Sequence, residues 1–146
     1  MAKSYRKKVP FKVYIPNLAG DGIAKTVKIN IEVTTECGVP GEQSLTLEAH
    51  RLIDDTKAIH MGMLLPEELK KLRKNKLKLS IEEMAKLLQV GTELYHKWES
   101  RRAWPSRTIS VLLHALRDGV VTVEYLRSLN TVRRDRIAQL GAAQPK

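Results

Sequence analysis

Glu93, His96, Lys97 and Ser100 recur at i, i+3, i+4 and i+7, a spacing that places a carboxylate, an imidazole, an ammonium and a hydroxyl along one side of a helix. Leu94, Tyr95 and Trp98 fall on the other, apolar side, so the polar stripe is expected to face outward, with Trp98 in the core. The chemistry open to such a stripe is recognition by hydrogen bonds and charge. Glu93 and Lys97 could equally do no more than pair with each other on a solvated surface. Catalysis is not indicated: the sequence has no glycine-rich phosphate loop, no supported Ser/His/Asp pattern and no convergent carboxylate pair. His50, His60, His96 and His114 lie on separate segments without metal-ligand spacing, so no enzyme, metal or cofactor is expected.

The elements that must hold this stripe are legible on either side of it. Ser80 and Glu83 form a capping-box signature, followed by Ile81, Met84, Ala85 and Leu88 at helical spacing. Gln89-Val90-Gly91 is a short turn, and Thr92 is expected to cap the next helix, which runs to about Ser100. Two helices joined so tightly must cross steeply, which is the geometry of a helix-turn-helix. Its second helix enters a DNA major groove with its N-terminal residues, here Thr92 and Glu93, leading. Pro66 opens a preceding helix with Leu69 and Leu72 among Lys70, Lys71, Arg73, Lys74 and Lys76. After Pro105, a helix starting at Ser106 or Thr108 carries Ile109, Leu112, Leu113 and Leu116 and ends at Asp118-Gly119; another near Thr122–Leu129 offers Val123, Leu126 and Leu129.

The first third of the chain has a different period. Phe11 to Ile15 and Val27 to Val33 alternate apolar with polar residues, as half-buried strands do. Asn17-Leu18-Ala19-Gly20-Asp21-Gly22 and Cys37-Gly38-Val39-Pro40-Gly41 read as turns. Ala49, Leu52, Ile53 and Thr56 then return to helical spacing. The expected organisation is a small β-rich domain over 1–47, a linker helix over 48–62, a helix-turn-helix domain over 63–130 and a basic tail over 131–146.

Among 146 residues, 26 Lys and Arg against 16 Asp and Glu give a net charge of +10, which calls for an anionic partner. A single cysteine, Cys37, excludes an internal disulfide and fits a reducing compartment. The basic N-terminus is not followed by the apolar run of a signal peptide, and no stretch is long enough to span a bilayer, so a cytoplasmic location without membrane contact is expected. An RNA-binding sheet is not indicated, since Phe11 and Tyr14 fall on opposite faces of one strand.

The run Ser80-Ile81-Glu82-Glu83-Met84-Ala85-Lys86-Leu87-Leu88-Gln89-Val90-Gly91, with Trp98-Glu99 and Pro105-Ser106, resembles the Xre, or phage-repressor-like, helix-turn-helix superfamily. Leu47 to Ile53 together with Met61 to Arg73 is similar to the hinge and first helix of MqsA/YgiT-type antitoxin-like regulators. The resemblance implies an α+β chain: a small N-terminal β-element followed by an all-α phage-repressor-like helix-turn-helix domain. It also implies a homodimer on palindromic double-stranded operator DNA and a partner toxin bound through residues 1–47. The paired Cys-x-x-Cys motifs of that family's zinc domain are missing, Cys37 alone remaining. Carried over by position, Lys97 would donate to guanine O6 and N7 and Glu93 accept from cytosine N4, with Thr92 and His96 beside them as base contacts. Phosphate contacts are expected from Ser100, Arg101, Arg102, Ser106 and Arg107. Trp104, set among these arginines, could pack on the domain or against sugar and phosphate. Arg101 stands where the superfamily usually has glycine, so either it adopts a strained left-handed conformation or the helix ends differently. Glu99 is expected to bond near its helix end or to an arginine such as Arg73. The resulting reading is an antitoxin-type autorepressor. The alternative is a protein-interaction module that uses the helix-turn-helix fold as a scaffold, with no specific DNA target.

Overall fold

A computed structural model describes residues 4–36, 43–131 and 133–141, and divides the chain into two compact units, Met1–Met63 and Leu64–Lys146. The turn expected at 37–41, Cys37 itself and the end of the tail, 142–146, lie outside the described residues. An antiparallel sheet precedes a series of short helices, which makes the chain α+β.

In the first unit, β1 (Ser4–Pro16) and β2 (Ile23–Glu36) form a hairpin, and β3 (Gln43–Leu45) adds to the far side of β2. Both long strands extend well beyond the alternating stretches, because backbone pairing continues in register through the charged residues from Ser4↔Glu36 to Ile15↔Lys25. Polar strand ends carry no hydrophobic period, and the three residues of β3 are too few to show one. The connecting turn is fixed by Asn17, whose Oδ1 accepts from the amides of Gly20 at 2.7 Å and Asp21 at 3.2 Å. Alternation places Val13, Ile15, Ile31 and Val33 on one face, where they are buried.

The helix expected as a linker, α1 (Leu47–His60), packs within this unit, with Ala49 and Ile53 buried in the same cluster as those four strand residues. Thr46 caps it, its hydroxyl accepting from the Ala49 amide at 3.1 Å. Leu52, which shares the helical spacing, is exposed. Only a narrow stripe of α1 meets the sheet.

The second unit comprises α2 (Pro66–Lys71), continued by a π-helical turn Leu72–Leu77, then α3 (Ile81–Leu88), α4 (Thr92–Glu99), α5 (Arg107–Arg117), α6 (Val123–Thr131) and α7 (Arg133–Gln139). Leu69, Leu72, Met84, Ala85, Leu88, Tyr95, Trp98, Leu113, Leu116 and Leu126 form one buried cluster. The capping box at Ser80 is present in both directions: the Glu83 amide donates to Ser80 Oγ, and the Ser80 amide to Glu83 Oε1, each at 3.1 Å. These bonds hold the Glu83 carboxyl below the usual carboxylate range. Ser106 caps α5, accepting from the Ile109 amide at 3.2 Å. Leu129, expected on the apolar side of α6, is instead exposed, since Leu126 already fills the contact with the core.

Leu113 is fully buried at the centre of the second cluster. Leu113→Ala should therefore cost about 2–5 kcal/mol in denaturant unfolding followed by tryptophan fluorescence.

Candidate nucleic-acid interface

What orients α4 is a buried ion pair. Arg73, in the π-helical turn, donates from Nε to Glu99 Oε2 at 2.7 Å and from Nη2 to Glu99 Oε1 at 2.9 Å, a two-pronged contact in which the side chains are only 6% and 7% exposed. Its third nitrogen, Nη1, donates to the Leu79 carbonyl at 3.0 Å, which ties down the link between the π turn and α3. Glu99 was expected to bond to its own helix end or to an arginine such as Arg73; it takes the arginine. Burial pushes the Glu99 carboxyl up, but the hydrogen bonds from Arg73, the approach of the Tyr95 phenol and the charges of Arg73 and Lys70 outweigh that and hold it below the usual range. Arg73 is raised by the hydrogen bond to Glu99, against its desolvation, and stays charged.

Tyr95 and Trp98 lie beside this pair, both buried, with their rings edge to face at 5.7 Å between centroids. Burial, and after it the neighbouring carboxylate, pushes the Tyr95 phenol far up. Its Oη meets no hydrogen-bond partner among the described residues.

With Tyr95, Trp98 and Glu99 turned inward, the opposite side of α4 is presented to solvent. Thr92, Glu93, His96, Lys97 and Ser100 are all exposed. Thr92 is the first helical residue and not the cap, which is Gly91 at φ −66° and ψ 143°. The turn's left-handed residue is Gln89, at φ 59°, so the bend is made at the end of α3 and Gly91 serves as cap without a side-chain bond. Leu94 was placed on the apolar side but is 44% exposed, because Tyr95 and Trp98 together fill the contact with the core.

Thr92, Glu93, His96, Lys97 and Arg102 line a shallow depression of about 450 Å³ that also includes Ile81 and Glu82 from the first turn of α3. Sequence reasoning missed those two; the signal was the Ser80 capping box, which fixes where that first turn begins. Arg102 donates to Ser100 Oγ at 3.1 Å and meets His96 Nδ1 at 2.9 Å. A guanidinium can only donate, so His96 Nδ1 accepts and a neutral ring carries its proton on Nε2, available as a donor.

The remaining arginines are less uniform than their spacing implied. Arg101 has the left-handed conformation anticipated for a residue in glycine's usual place, at φ 64°, and its guanidinium is joined to Glu67 at 2.6 Å. Arg107 and Trp104 are half-buried, and Ser106 spends its oxygen as the α5 cap. Lys70 and Lys74 line a second depression of about 520 Å³ with Ser80, His96 and Ser100.

Residues 69–115 match the helix-turn-helix family model. The match runs from α2 to α5 and includes the whole of α3, the turn and α4. This part of the chain is a helix-turn-helix domain, of the kind carried by DNA-binding transcription regulators. No curated protein and no solved structure matches the chain. No helix among the described residues is long and apolar enough to cross a membrane.

Two expectations follow for the helix-turn-helix domain. A carboxyl whose pKa is lowered on folding contributes stability that is present above its unfolded value and lost as pH falls through the folded one. The stability of this unit should therefore fall as pH drops below about 4.3, the ordinary glutamate value, and Glu99→Gln should flatten that acid limb in denaturant melts at successive pH values. At Arg101, alanine keeps the left-handed strain and glycine relieves it, while both lose the pair with Glu67. Arg101→Gly should thus be more stable than Arg101→Ala by about 1 kcal/mol in thermal melts.

Proposed function

We propose that this protein is a sequence-specific transcriptional repressor that binds a palindromic operator as a homodimer, and that it acts as an antitoxin-type autorepressor of a toxin–antitoxin operon. The observation that carries the DNA reading is the outward stripe Thr92, Glu93, His96 and Lys97 on a helix whose inner side is locked by Arg73 and Glu99. A rigid helix with exposed donors and acceptors on its leading turns can read base edges, because its side chains need not be reordered on binding.

In this reading Lys97 donates to guanine O6 and N7, and Glu93 accepts from cytosine N4. Thr92 and the Nε2 proton of His96 add contacts beside them. Ser100, Arg101, Arg102, Ser106 and Arg107 supply phosphate contacts that position the domain without specifying sequence. Arg101 would have to exchange Glu67 for phosphate, so it contributes less than Arg102.

One helix-turn-helix module covers little DNA, and a two-fold dimer doubles both contact area and specificity. Tyr125 and Leu129 on α6 and Ile137 on α7 are exposed apolar side chains, which supports pairing through the C-terminal helices. The antitoxin reading rests on the similarity of Leu47 to Ile53 and Met61 to Arg73 to MqsA/YgiT-type regulators, and it assigns the partner toxin to residues 1–47.

Mobility-shift titration of the full chain against the upstream region of its own gene tests the repressor reading. Lys97→Ala should lose about 1–3 kcal/mol of discrimination between operator and scrambled duplex, a factor of about 5 to 150. Equal affinity and selectivity in that variant would remove α4 as the reading helix. A wild type that never prefers the operator at any salt concentration would favour the scaffold reading instead.

A further inference from the structure

The register of the β1–β2 hairpin gathers positive charge on the face that the core does not use. Val13, Ile15, Ile31 and Val33 point to the core side, so the even-numbered residues of both strands share the solvent face. Arg6, Lys8 and Lys12 on β1 and Lys28 on β2 are all exposed there. Pairing sets Lys12 directly opposite Lys28, and like charges facing each other across a ladder repel.

Nothing in the hairpin relieves that repulsion. Glu32, the acid nearest the middle of this face, stands opposite Lys8 and is engaged by Arg6 at 3.4 Å. Asp21 lies in the turn, held by Asn17 at 2.9 Å, and Glu36 lies at the opposite end, across from Ser4. Among the described residues neither Lys12 nor Lys28 has an ion-pair partner.

The rest of the face decides what kind of anion fits. Tyr14, Thr26 and Asn30 are exposed and present hydroxyl and amide groups between and beside the lysines. No cluster of aliphatic side chains interrupts them, whereas a protein-binding surface needs an apolar anchor that can be desolvated. A polar, positively charged face with flexible ammonium groups matches the phosphate backbone of a nucleic acid.

We propose that this solvent face is a second DNA-binding surface, which takes the phosphate backbone of duplex DNA on Lys12 and Lys28 with Lys8 beside them, independently of sequence. It lies wholly outside residues 69–115 and does not depend on how α4 reads bases.

The test is the salt dependence of binding to a short duplex of scrambled sequence, followed by fluorescence anisotropy on the full chain. Each phosphate neutralised contributes about 0.9 to the slope of log K against log salt. K12Q/K28Q should lower that slope by about 0.9 per lysine while keeping the wild-type ratio of operator to scrambled affinity. Lys28→Glu removes as much positive charge as that double substitution and should lower the slope comparably, yet its melting temperature should equal or exceed that of wild type, since the introduced carboxylate faces Lys12. It thereby separates loss of binding from loss of fold. K97A provides the complementary arm, losing operator preference with the hairpin's share of the slope intact. An unchanged slope in both hairpin variants overturns the proposal. So does wild-type binding to polyglutamate as tight as to duplex at equal salt, which would assign the face to an acidic protein.

Discussion

A guanidinium and a carboxylate removed from water together hold the DNA-binding unit in its working shape. The Arg73–Glu99 pair joins the π-helical turn to the last residue of α4, and Arg73 reaches on to the Leu79 carbonyl. Desolvating both charges offsets much of their attraction, so the pair adds less to net stability than to register. Any other rotation of α4 would leave Arg73 buried without a carboxylate. Tyr95 and Trp98 are committed to the core by the same rotation, and the side of α4 left over is the one that carries Glu93, His96 and Lys97.

Around this anchor, the helices end without glycine where glycine would be easiest. Lys78, Gln89 and Arg101 all have positive φ, at 54°, 59° and 64°. Each follows a helical segment of the unit and turns the chain into the next, and each would cost about 1 kcal/mol or more alone. Local backbone bonds close these helix ends: the Leu79 amide donates to the Arg73 carbonyl at 3.0 Å, and the Arg102 amide to the Lys97 carbonyl at 3.0 Å. Short helices with tight, strained joints leave little slack, which fixes the orientation in which α4 presents its outer side.

The first unit solves a smaller problem in a different way. A two-stranded ribbon is marginal alone, and α1 supplies the third layer of side chains that lets Val13, Ile15, Ile31 and Val33 become a core. Using one face for that core leaves the other face to polar residues, and in this sequence the charged ones among them are mostly basic. Most of the net charge of +10 lies in the second unit, and the first unit carries the remaining +2.

The sequence alone determined what local chemistry can determine. Ser80 and Glu83 announce the start of α3, the spacing of Met84, Ala85 and Leu88 gives its buried side, and the stripe Glu93, His96, Lys97 and Ser100 separates from Tyr95 and Trp98 by helical period alone. Those are contacts between near neighbours in the chain, and side-chain periodicity encodes them directly. Only the tertiary structure decided that Leu94 stays exposed, that Gln89 and not Gly91 takes the left-handed bend, that α1 joins the sheet, and that Lys12 faces Lys28. Each of these depends on which side chain fills a space in the core first, on how a helix end closes, or on which strand pairs in which register, and that competition leaves no trace in the hydrophobic period.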